Sequence, residues 1–181
     1  MVPEAPLERG DAGLFAQGEG WYVVNAREAR WYENEEYGSW TRFAEGEGDA
    51  KFKEIGINIG VLWPGKPSSM YHREDNQEDF LVLAGECIVI IEGQERPLKQ
   101  WDFVHCPAWV DHVFVGAGDG PCAVLAIGSR AKEEIIYPVN EVAAKYGGSV
   151  EEETPDPQQA YKDVSRPVET PYQDGWLPNV S

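Results

Sequence analysis

Cysteine, histidine and long apolar runs are all scarce in this 181-residue chain, and each scarcity excludes a class of protein. The three cysteines, Cys87, Cys106 and Cys122, form no C-x-x-C pair, which argues against zinc-ribbon and thioredoxin-type sites. Each stands in an apolar stretch, where free cysteine behaves as a small hydrophobe. They are read as reduced core residues, with Cys106, between His105 and Pro107, the one nearest the candidate site. The longest apolar runs, Cys87–Ile91 and Ala123–Ile127, are far too short to cross a bilayer. Cations are few as well: 15 Lys and Arg stand against 32 Asp and Glu, a net charge of −17. With no basic cluster, such a surface repels a phosphate backbone, so nucleic acid is not an expected partner. The acidic face is read as a solvated one that keeps the protein soluble. The N-terminus has neither a basic n-region nor an apolar h-region, so no export signal is expected and a cytoplasmic location is.

What is present is a dense series of short strand signals. Ile55–Trp63, Phe80–Leu83, Cys87–Glu92, Arg96–Leu98, Phe103–Cys106, His112–Val115 and Cys122–Ile127 all read as strands. Pro64-Gly65, Ala84-Gly85, Glu92-Gly93-Gln94 and the glycine-rich stretch from Gly116 to Pro121 separate them as turns. Short strands at regular spacing predict an all-β, antiparallel barrel or jelly roll over residues 50–130. Residues 1–49 read as an arm with one or two short strands, its aromatics (Trp21, Trp31, Tyr32, Tyr37, Trp40) covering part of the barrel. In residues 131–181, Asn140 is placed to cap a short helix over Glu141–Tyr146 that Gly147 ends. An acidic, proline-rich extended tail follows, and Tyr161, Tyr172 and Trp176 predict that it packs on the barrel or on a partner subunit.

All three histidines, His72, His105 and His112, fall in the strand-rich zone. His72 is followed by Glu74 and Glu78; on a strand, residues 72 and 74 share a face. One imidazole with two carboxylates, joined by His112 after the Pro107 turn, makes a mixed N/O donor set suited to iron, manganese, zinc or nickel. His105 lies on the Phe103–Cys106 strand, and alternation sends it to the same face as Phe103 without saying which face that is. Facing inward, it is a fourth ligand or a general base. Trp109 and Tyr71 are candidates to line the pocket.

The run Gly65, six residues, His72-Arg-Glu74, three residues, Glu78, six residues, Gly85 resembles the first motif of the cupin superfamily. The run Trp101-Asp-Phe-Val-His-Cys-Pro107-Ala-Trp109-Val-Asp-His112-Val-Phe-Val-Gly116 resembles the second. The likeness covers roughly Gly60 to Ser129, and is greatest to single-domain bacterial cupins that carry Tyr-His-x-Glu and Trp-Asp-Phe-Val-His-Cys-Pro. It implies a cupin barrel with His72, Glu78 and His112 on a divalent metal. The chain departs from the pattern at five places: the spacer after Gly65 is one residue longer than usual, Glu74 stands where the second histidine belongs, Trp101 and Trp109 replace glycines, and Gly116 replaces an asparagine. Glu74 and His105 compete for the fourth ligand position.

The resemblance implies a metal-dependent enzyme acting on a small oxygenated molecule, as a dioxygenase, hydrolase or isomerase. The alternatives are a non-catalytic cupin that binds or senses a small molecule, and a metal-free cupin of the sugar isomerase type. Fold does not choose among them. A homodimer is expected, with the aromatic arm pairing with a second subunit to cover an exposed barrel edge.

Overall fold

The computed structural model describes residues 1–43 and 50–178, so the arm-to-barrel boundary at Asp49 lies outside the described residues. Strand alternation builds the molecule. The arm carries β1 (Leu7–Gly10), β2 (Gly13–Ala16), β3 (Trp31–Asn34) and β4 (Gly38–Arg42). The barrel carries β5 (Ile55–Leu62), β6 (Arg73–Glu74), β7 (Glu78–Ala84), β8 (Glu86–Ile91), β9 (Gln94–Lys99), β10 (Phe103–Cys106), β11 (His112–Ala117) and β12 (Cys122–Ser129). The tail adds β13 (Ile135–Ile136), α1 (Glu141–Ala144), α2 (Pro157–Ala160) and β14 (Val168–Thr170). A seven-stranded sheet, ordered β10-β7-β12-β5-β4-β3-β14, faces a three-stranded sheet, β11-β8-β9. Every strand pairing within them is antiparallel.

The space between the sheets is filled by the inward-facing positions of the strands. Leu62, Phe80, Val82, Cys87, Val89, Cys106, Phe114, Cys122 and Val124 form one buried cluster. The cysteines are thus free core residues, as expected. The unbroken apolar run at residues 87–91 is apolar on both faces because both faces of β8 are covered. Cys87 and Val89 point into the barrel, while Ile90 packs outward with Tyr71, Val113, Val115 and Ala143 of α1. Asn140 caps α1 by accepting from the Val142 and Ala143 N–H groups, and Gly147 follows in the left-handed region at φ 75°.

Arm and tail differ from expectation in degree. The arm holds four strands rather than one or two, and Trp21–Asn25 forms none of them. The tail is not wholly extended, because Asp156 caps α2 with Pro157 at its first position. That Asp-Pro pair is a helix-start signal. The barrel edge that the arm was expected to cover with a second subunit is covered by the chain itself. β3 and β4 extend the large sheet from β5, and β14 then closes on β3. Trp31, fully buried, anchors this cover against Val61 and Trp176, with its ring 5.1 Å from that of Trp176.

Trp101 and Trp109 replace glycines of the family pattern, yet both keep a left-handed backbone, at φ 75° and 70°. A side chain in that region costs about 1–2 kcal/mol. Trp101 is two-thirds exposed, so little packing offsets the strain. Trp101→Gly is therefore expected to raise the unfolding free energy by up to about 1 kcal/mol, measured by urea denaturation.

Candidate metal centre

The centre begins with two backbone hydrogen bonds. His72 N–H donates to the His112 carbonyl at 3.1 Å, and His112 N–H donates to the His72 carbonyl at 2.8 Å. This antiparallel bridge projects both side chains from the same side of the pair, leaving the ring centroids 4.9 Å apart. Each ring is then oriented by its own chain. His72 Nδ1–H donates to the Met70 carbonyl at 2.7 Å, and His112 Nδ1–H to the Val110 carbonyl at 3.0 Å. A proton on Nδ1 leaves the lone pair on Nε2, and a carbonyl-held Nδ1–H is the usual support of a metal-ligating histidine.

Glu78, the first residue of β7, brings the carboxylate. Its Oε2 lies 3.3 Å from His112 Nε2 and 3.9 Å from His72 Nε2. The three donor atoms lie within 4.8 Å of one another. Ligands that share one divalent ion at about 2.0–2.2 Å stand roughly 3–4 Å apart, so both Glu78 separations suit such an ion and a small closure of the wider pair would complete the set. In the metal-free protein the same point holds a proton. Burial alone would lower the His112 pKa, but contacts with Cys106 and Glu78 push it up to about 10. Burial likewise works against the Glu78 carboxylate, yet its bond to His112 leaves it below the ordinary value. Burial and the neighbouring His112 hold the His72 imidazole below its usual range. A divalent ion would displace the His112 proton and take its place beside the carboxylate.

The other sequence candidates separate clearly. Glu74, on β6, comes within 4.0 Å of His72 Nε2 and stands at the rim of the three-residue group. Burial, reinforced by the Glu78 charge, raises its pKa to about 7. It also lines an open cleft of about 610 Å³ beside Lys51, Arg130 and Lys132. His105 is excluded: alternation sends Val104 and Cys106 inward and His105 out, half exposed and bonded to Asp79 at 2.6 Å. Tyr71 does not line the pocket either. It is buried on the opposite side of its strand from His72, in the α1 layer, where its hydroxyl accepts from Gly93 N–H at 3.0 Å. Trp109 is exposed, and its backbone N–H donates to the Glu74 carbonyl at 2.7 Å. It braces β6 without lining the cavity described next.

Sequence reading missed that cavity. A space of about 450 Å³ lies inside the barrel, floored by Gly60, Val124 and Ala126 and roofed by Tyr37, Trp40 and Tyr161. It borders the histidines through two of its wall residues. The Phe80 ring lies 5.3 Å from that of His112, and Ser69 Oγ lies 3.5 Å from His72 Nδ1. The roof comes from arm and tail, which carry no motif; only their aromatic content signalled it.

Residues 58–128 match the model of the cupin domain. This segment is a cupin domain. Among solved structures, a putative sugar phosphate isomerase from Acidithiobacillus ferrooxidans is 27% identical over 54% of this chain, with a TM-score of 0.46. The chain spans 63% of that protein's length. A sugar phosphate isomerase of the cupin superfamily from Silicibacter pomeroyi is 25% identical over 61% of this chain and 71% of its own, with a TM-score of 0.45. A polyketide cyclase from Streptomyces resistomycificus is 12% identical over 64% of this chain and 83% of its own; its TM-score of 0.54 is a likeness of fold. No curated protein matches the chain by sequence.

Within the cupin pattern, Gly116 in place of asparagine has a steric reason: a Cβ there would run into the Trp63 carbonyl. Glu74 in place of the second histidine has an electrostatic consequence. Its folded pKa of about 7 lies above the ordinary value of 4.5, so its stabilising share is complete below pH 4.5 and lost as pH rises through 7. Metal-free Glu74→Gln should therefore gain on the parent between pH 5 and pH 8, by on the order of 3 kcal/mol at the upper end. Thermal melts of both proteins across that range test it; a constant difference would remove the assignment.

Proposed function

We propose that this cupin is a metal-dependent enzyme acting on a small oxygenated organic molecule, with His72, Glu78 and His112 holding the metal. The observation that carries this reading is the convergence of two Nε2 atoms and a carboxylate, each imidazole pinned through Nδ1–H to a backbone carbonyl. A divalent metal on this set supplies Lewis acidity toward a substrate oxygen. The protein's own contribution to the chemistry is Glu74. Burial raises the pKa of this carboxyl in the metal-free protein, and it stands within 4.0 Å of His72 Nε2, placed to give and take a proton beside the ligand set. That favours proton-transfer chemistry of the hydrolase or isomerase type over oxygenation, and favours an enzyme over a cupin that only binds or senses. Phe80 and Phe114, packed 4.5 Å apart, keep the inner side of the centre apolar.

The reading includes a cytoplasmic homodimer. The outer face of the large sheet carries Phe103, Leu81 and Leu125 in one cross-strand row, and Phe103 is 62% exposed. An apolar face of this kind marks an interaction surface.

The test is metal content after purification without a histidine tag. His72→Ala and His112→Ala should each lose most of the bound metal. Glu74→Gln should keep it and lose about 10²–10⁴-fold in turnover on whatever substrate the parent accepts. Metal retained in both histidine variants would overturn the assignment. Substrate-dependent oxygen uptake by iron-loaded protein would move the reading to an oxygenase.

A further inference from the structure

The 450 Å³ cavity is lined in a way that the charge of the chain makes unexpected. Asp and Glu outnumber Lys and Arg by 32 to 15, yet among the described residues the lining contains two arginines, Arg42 and Arg166, and no acidic residue. The register of the large sheet shows how the lining is ordered. Strand neighbours place Glu78 beside Gly128 and Gly56 in one inward row. The next row carries Phe80, Ala126, Asn58 and Arg42, and the row beyond it Val82, Val124, Gly60 and Trp40. A path from the metal centre to Arg42 therefore crosses an aromatic ring and two small side chains before it meets a cation.

The middle of the cavity is apolar and broad. Gly60 would meet nothing within 4 Å if given a Cβ, so its missing side chain is open space rather than a backbone requirement. The roof residues are aromatic, and Tyr161 is held over the cavity by accepting the Met70 N–H at 3.1 Å. Arg166 belongs to the tail segment that Asn34 fixes through the Ser165 carbonyl at 2.7 Å. A sugar phosphate needs polar partners along its whole length; Ser39, Asn58, Ser68 and Ser69 reach this lining, but most of its surface is apolar. An apolar body with one anionic end meets matching groups in order.

We infer that this cavity takes an apolar monocarboxylate, its hydrocarbon part over Gly60 between Phe80 and the aromatic roof and its carboxylate toward Arg42 and Arg166. The inference rests on the proposed function for the metal end of the ligand and adds the class of molecule. A pocket of a few hundred Å³ suits a ligand of this size, and desolvated aromatic walls supply most of the binding. The arginines supply selectivity for the anion at the mouth, where salt screens them.

Calorimetric titration of the full-length protein with 2-naphthoate, octanoate and glucose 6-phosphate tests this, in metal-loaded and chelator-treated samples. 2-Naphthoate or octanoate should bind, and glucose 6-phosphate should not; which of the two binds better identifies a flat or a chain-like body. Gly60→Leu should weaken the better binder at least about tenfold by filling the floor. Arg166→Gln, a change on an exposed tail residue that leaves the fold intact, should weaken it about two- to fivefold and leave 2-naphthol unaffected. Binding of glucose 6-phosphate alone, or naphthoate and octanoate affinities unchanged in both variants, would overturn the inference. Metal retention without carboxylate binding defeats this inference and spares the metal centre. Carboxylate binding in a protein that retains no metal upholds the cavity assignment and defeats the metal centre.

Discussion

The reciprocal hydrogen bonds between the backbones of His72 and His112 are the constraint on which the rest of this molecule turns. They join a segment leading into β6 to the first residue of β11, and so tie the two-stranded sheet β13-β6 to the three-stranded sheet β11-β8-β9 at one point. A one-residue slip in that register would send one imidazole to the opposite face. Because the register holds, both rings point inward, and the carbonyls two residues before each ring are in place to fix its tautomer. Glu78 then has only to begin β7 on the inward phase, which the Phe80 and Val82 positions of the same strand ensure.

Burial gives this small cluster its chemistry. Two imidazoles and two carboxyls packed out of water cannot all be charged, and the structure separates their roles. His112 and Glu78 share a proton as an ion pair, His72 is held neutral, and Glu74 is pushed toward neutrality near physiological pH. The family pattern has a histidine where this chain has Glu74, and the exchange turns a strong neutral ligand into a titrating acid. Arm and tail act on the other side of the centre. By pairing with the large sheet they turn an open barrel mouth into an aromatic-roofed cavity, with no acidic side chain among the described residues of its lining.

Much of this was legible from sequence, and the limits have physical causes. Seven of the eight barrel strands, all but the two-residue β6, could be read because each alternates or runs apolar between turn residues, and strand ends shifted by only one or two residues. His72, Glu78 and His112 could be read because motif spacing encodes register. His105 could not be placed: two-residue alternation gives a common face for His105 and Phe103 but not which face is inner, and that depends on Cys106 pairing opposite Glu78. Tyr71 failed for a related reason, since its neighbour His72 claims the inward side. The closing strand Val168–Thr170 was hidden because its partner lies more than a hundred residues away, and the extra arm strands because they are hairpins of only four or five residues a side. The left-handed turns at Trp101 and Trp109 persist without glycine, so residue identity there understated how well the turns are kept.

The central claim is that this chain binds one divalent metal through two imidazoles and a carboxylate. X-ray absorption at the edge of the metal present in the protein as isolated tests it most directly. The account predicts a first shell of nitrogen and oxygen at about 2.0–2.2 Å, with the outer-shell scattering of two imidazole rings. A shell without imidazole scattering, or one dominated by sulfur at about 2.3 Å, would contradict it.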